Sequence, residues 1–188
     1  MTQAMLVTTS AYMAFGTLAC SATGHLRKHH EFVGSLRSQR IWPPGTERMV
    51  AASVLVAEAT IALIGIVAAV AVDAELLLSA AGTAAALYLL FTGYTAFLVG
   101  RRPGVPCGCG TQQEEVNVWT VVRTAGLALC SLLAAAGAGR LIGLDSPIEE
   151  VAVTVLAAVG LGGALWWLPA TLALSKAPTR AATERGAR

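Results

Sequence analysis

Two cysteines one residue apart are the sharpest chemical feature of the chain, in Pro106-Cys107-Gly108-Cys109-Gly110. Thiols at that spacing close a small disulfide ring only where the backbone bends, and Gly108 and Gly110 tolerate the angles required. Such a ring is strained, so it is easily reduced and exchanges quickly, which suits a redox shuttle better than a structural staple. Two other readings of Cys107 and Cys109 stay open: inert loop cysteines, or part of a metal site. A closed zinc site takes four ligands, so His25, His29 and His30 would have to supply what two thiolates lack, and no metal is expected. Cys20 could reach the pair as a relay, whereas Cys130 lies in the middle of an apolar run. For both, a small buried packing residue is the alternative.

Glu58 is the one acid well inside an apolar run, and an ionisable group there is costly unless it faces a partner or a polar cavity. Arg123 enters a later run soon after the cysteine segment. A Glu58–Arg123 pair inside a bundle would offset both costs. Equally open is an Arg123 that reaches the headgroups beside a protonated Glu58. The histidines at 25, 29 and 30 also read as an interfacial basic patch.

Long apolar runs must position these residues. The 188 residues are 55% hydrophobic and 13% charged, with a mean hydropathy of +0.65. A soluble domain carries about a quarter charged residues. Here the charges sit in short islands. The runs between them cover roughly 5–24, 49–72, 76–99, 118–138 and 151–174. One crossing takes about 20 apolar residues. The runs are too long for strands and lack alternation, so transmembrane helices are expected. Small residues such as Ala80-Ala81-Gly82 permit close helix approach, though coding bias would produce them too. Trp42, Trp119, Trp166 and Trp167 fall near the expected span ends.

The expected fold is therefore an all-α polytopic bundle, a single transmembrane domain over 1–175 with a basic, disordered tail at 176–188. No Lys or Arg precedes the first run, so it lacks the basic start of a signal peptide and is expected to stay in the mature protein. Arg27, Lys28, Arg37, Arg40, Arg48, Arg101, Arg102, Arg123, Lys176, Arg180, Arg185 and Arg188 fall to one side, and only Arg140 to the other. The positive-inside rule then puts the N-terminus outside and the C-terminus in the cytoplasm, with the cysteine segment on the cytoplasmic side of a bacterial plasma membrane. No basic stripe interleaved with aromatics supports nucleic-acid binding. No inverted repeat or broken helix pair supports a solute carrier.

The order of several features is distinctive. Gly24-His25 is followed by Phe32, Leu36 and Trp42-Pro43-Pro44, then by Glu58 and Gly65 in one run. Cys107-Gly108-Cys109-Gly110 and Trp119-Thr-Val-Val-Arg123 come next. Over roughly residues 8–135 this pattern resembles the MauE family of methylamine utilisation proteins, which belong with the DoxX-like membrane proteins. Cys-Gly-Cys followed by Trp-x-x-x-Arg is the most specific part. The sequence departs from the family in lacking Phe after Cys109, and in carrying His25 where Lys is frequent and Thr124 where Asn is frequent. The resemblance implies a four-helix core plus a fifth helix. It also implies work beside a thioredoxin-like partner in maturing a disulfide-rich dehydrogenase subunit. Carried over by position, Cys107 and Cys109 are the redox pair, and Glu58 and Arg123 occupy family positions without assigned role. The chain is then at most a thiol–disulfide oxidoreductase. The alternative is a non-enzymatic membrane scaffold or a quinone-binding subunit of a redox complex. The cofactor is left open between none and a quinone, the quinone belonging to the second of these readings.

Overall fold

The computed structural model describes residues 3–102, 104–106, 115–143 and 146–174. The chain runs as α1 (Gln3–Arg27), α2 (His29–Gln39), α3 (Glu47–Ala71), α4 (Ala74–Arg101), α5 (Val118–Ala136), a short 3-10 turn (Ala138–Arg140) and α6 (Ile148–Leu174). Five of these, α1, α3, α4, α5 and α6, are long and apolar enough to cross a membrane. Helices suit that environment because every backbone hydrogen bond closes within the segment. The chain is an all-α polytopic membrane protein.

α1, α3, α4 and α5 form the core in that cyclic order, each packing along its two neighbours, with α4 and α5 sharing the most extensive interface. α3 and α5 therefore stand on one diagonal and α1 and α4 on the other. α6 leans on α1 and, less extensively, on α5. The core is built from Ala11, Ala14, Phe15 and Leu18 of α1, Ala62 and Ala68 of α3, Ala80, Ala81 and Ala84 of α4, and Leu127 and Ala128 of α5. Lipid is as apolar as these side chains, so close van der Waals packing holds the helices, and small residues allow it. Gly65 shows the principle: the Phe15 ring lies over it, and a methyl at that position would overlap the ring. Tyr88 of α4 crosses to α1, where its hydroxyl donates to the Ala14 carbonyl at 2.8 Å. Large apolar residues such as Leu63, Leu90 and Leu156 point outward, as lipid contact requires.

Helix ends follow the local sequence. Asp73 caps α4 by accepting from the Leu76 amide at 3.0 Å. Asn117 caps α5 through the Trp119 and Thr120 amides, with the Thr120 hydroxyl accepting from the Asn117 amide. α5 stops at Gly137, earlier than the run to 138 implies, and the 3-10 turn folds back on α1. There the Ile142 amide donates to Thr8 Oγ1 at 2.9 Å.

α2 was not foreseen as an element of its own. Its apolar face is short: Phe32, Val33 and Leu36, packed on Ala51 with Val50 and Val54 of α3. Arg40 ends it in the left-handed region at φ 50°, and Arg37 reaches Glu47 at 3.7 Å across the turn to α3. The tail at 176–188 lies outside the described residues.

Candidate functional site

The segment bearing Cys107 and Cys109 lies outside the described residues, but its two roots are on the page. Pro106 and Glu115 face one another as antiparallel bridge partners, and the Val116 amide donates to the Val105 carbonyl at 2.9 Å. Gly104, at φ 84°, makes the turn that leads from α4 into this neck, a conformation that suits glycine. Val116 and Val105 pack with Leu98, Tyr94 and Val99 of α4 and with Ile41. Gln39, fully buried at the end of α2, donates from Nε2 to the Pro106 carbonyl at 3.0 Å, while its Oε1 accepts from the Tyr94 hydroxyl at 2.5 Å. Trp42 Nε1 donates to the same Tyr94 oxygen at 3.3 Å. Segment 107–114 thus starts and ends at one clamped point, beside α2 and the last turns of α4. Glu115 carries the outer wall of the neck, and the Asn117 side chain donates to its carbonyl. The neck is therefore continuous with the cap of α5.

A second constellation lies inside the bundle, between α1 and α3. Glu58 is 2% exposed and His25 5%. His25 Nε2 stands 3.6 Å from Glu58 Oε2. Ser21, one turn before His25 on α1, donates from Oγ to Glu58 Oε1 at 3.0 Å and lies 3.3 Å from His25 Nε2. Since the Ser21 proton goes to the carboxylate, the imidazole must donate from Nε2 to the serine oxygen. Phe32 of α2 stacks on the His25 ring at 3.9 Å and 21°, fixing its plane. Among the described residues, Glu58 Oε2 has no hydrogen-bond partner.

Arg123 is buried in α5 and places its guanidinium over the Trp166 ring of α6, 5.5 Å from the centroid. Among the described residues no ion pair joins it to Glu58. The helix order explains this: Glu58 and Arg123 belong to diagonal helices, while His25 and Ser21 belong to the immediate neighbour. Of the two expectations for Arg123, neither a Glu58 pair nor an exposed headgroup contact describes a guanidinium resting on an indole face. His25 likewise leaves the basic patch: it turns inward, whereas His30 stays exposed.

Among the described residues Cys20 and Cys130 form no disulfide, the first being exposed and the second half-buried. Cys20 opens onto a groove of about 610 Å³ between α1 and α6, lined by Tyr12, Met13, Gly16 and Thr17 on one side and Val159, Gly162, Gly163 and Trp166 on the other. Cys20 thus lines the groove, and Cys107 and Cys109, to which it was expected to relay, lie outside the described residues. Ser21, Gln39 and Tyr94 escaped the sequence reading. The four-residue spacing of Ser21, His25 and His29 was a usable signal for the first; nothing in the sequence marked Gln39 or Tyr94.

Comparison with known proteins agrees with this arrangement of motifs. The model of the family described as Methylamine utilisation protein MauE matches residues 2–139. The Methylamine utilization protein MauE of Paracoccus denitrificans is 32% identical over 169 residues, covering 88% of this chain and 87% of that protein. No solved structure matches. The match takes in the four core helices, the cysteine segment, Glu58 and Arg123, and the chain belongs to the MauE family.

Proposed function

We propose that this protein supports thiol–disulfide exchange in the maturation of a disulfide-containing dehydrogenase of the methylamine-utilisation type, with Cys107 and Cys109 as the exchanging pair and a thioredoxin-like protein as partner. The observation that carries the reading is the clamped neck. A reactive pair that must meet a protein partner is best presented on a short segment whose ends are fixed, and Gln39, Tyr94, Val105 and Val116 fix both ends. In the exchange one thiolate of the pair attacks the partner's disulfide and expels a partner thiolate. The second cysteine then attacks the mixed disulfide, so the pair is oxidised and the partner gains two electrons and two protons. By the charge bias the pair faces the cytoplasm of a bacterial plasma membrane, with the N-terminus outside. Thiols there are kept reduced, so the dithiol is the expected resting form.

Cys107→Ser leaves Cys109 to attack without a resolving thiol, and should accumulate a mixed disulfide that is seen on non-reducing gels and dissolves on reduction. Full dehydrogenase maturation by a Cys107→Ser, Cys109→Ser double variant would overturn the thiol reading and leave a scaffold.

A second reading, a quinone-binding subunit of a redox complex, is favoured by the groove between α1 and α6. Its walls are apolar, and the Cys20 thiol and Thr17 hydroxyl supply polar groups beside Trp166. A photoreactive quinone analogue that labels α1 and α6, and that protects Cys20 from alkylation, would support this reading. Labelling spread evenly over all lipid-facing helices would dismiss it.

A further inference from the structure

Neither reading uses the buried Ser21–His25–Glu58 cluster. We propose that it is a proton-loading site within the membrane, fed from the charged end of the bundle by a ladder of histidines. This proposal stands whether or not Cys107 and Cys109 cycle.

The residues are graded in depth. His30 is exposed, His29 is half-buried, and His25 and Glu58 are enclosed. The His29 and His30 rings lie 6.2 Å apart, edge to face, and His29 is within electrostatic reach of His25. Ser21 and His25 lie one turn apart on α1, and His29 opens α2 just past the break at Lys28. The hydrogen bonds are already polarised in one direction: His25 Nε2–H to Ser21 Oγ, and Ser21 Oγ–H to Glu58 Oε1. A proton arriving at His25 Nδ1 therefore has a complete path. The Nδ1–H bond forms and the Nε2–H bond breaks. That proton forms a new Oγ–H bond as the old one breaks, and the displaced proton forms the Oε1–H bond. One proton passes from water to the carboxylate and no electrons move. Glu58 Oε2, 3.6 Å from His25 Nε2 and without a hydrogen-bond partner among the described residues, is a second acceptor in the same place. A purely structural carboxylate would be expected to have both oxygens satisfied, because an unpaired buried acceptor is costly.

The groups around the cluster set its charge. α2 contributes His29 and the stacked Phe32. From α4, Tyr88 stands within electrostatic reach of both Glu58 and Arg123 of α5.

The test uses the full chain in lipid nanodiscs. Infrared difference spectra between acid and alkaline buffer should contain one carboxylic-acid C=O band that shifts in D2O and is absent from Glu58→Gln. The same band should appear in Ser21→Ala and in the His29→Ala, His30→Ala double variant, but its deuterium exchange should slow by roughly tenfold as the relay is interrupted. Those two variants keep Glu58, so they remain informative if Glu58→Gln does not fold. Nitrogen NMR of labelled histidine should place the proton on His25 Nε2 in the alkaline form. No pH-dependent carboxyl band in the native chain would overturn the proposal. So would exchange as fast in Ser21→Ala and His29→Ala, His30→Ala as in the native chain.

Discussion

At Gly65 a single hydrogen atom decides how α1 and α3 meet, because the Phe15 ring occupies the space a methyl would need. Gly65→Ala should destabilise the bundle by about 1–3 kcal/mol, the range for overfilling a packed core. It should be read as a lower melting temperature in detergent, with partial recovery when Phe15→Leu is added. If Gly65→Ala melts with the native chain, the two helices are not in the contact described. Glu58 teaches a related lesson about legibility. A carboxylate in an apolar run is conspicuous in sequence, because its burial is expensive whatever the fold. Its partner was not legible in the same way. Arg123 was an equally good candidate by charge, and only the cyclic order of the helices assigns Glu58 to Ser21 and His25. Residue type reveals that a problem exists, while packing determines which neighbour solves it.

Among the elements, the five long helices were readable because lipid forces about 20 apolar residues into each crossing. α2 was not, since its apolar face is Phe32, Val33 and Leu36 within a segment that also carries Glu31, Arg37 and two histidines. A helix of that length forms only because α3 covers that face. The Cys-Gly-Cys motif was readable, but its attachment was not: Gln39 is a polar residue in a polar segment until Pro106 and Tyr94 close around it. Gln39→Leu should leave the Pro106 carbonyl and the Tyr94 hydroxyl without this partner, at about 1–3 kcal/mol. Hydrogen exchange should then speed up at the Val116 amide, which pairs with Val105. Unchanged protection at Val116 would mean that the neck holds without α2.

For the whole molecule, five crossings by the five long apolar helices, read with the charge bias, would put the two ends of the chain on opposite sides. Reporter fusions after Ala74 and after Arg188 should therefore report different compartments, and agreement between them would break the span count. One feature joins the two chemistries across this architecture. α2 rests on His25 through Phe32 and on the neck through Gln39, residues two helical turns apart, or about 10 Å along one rod. A displacement of Pro106 would therefore reach the face of the His25 ring through one short, stiff helix.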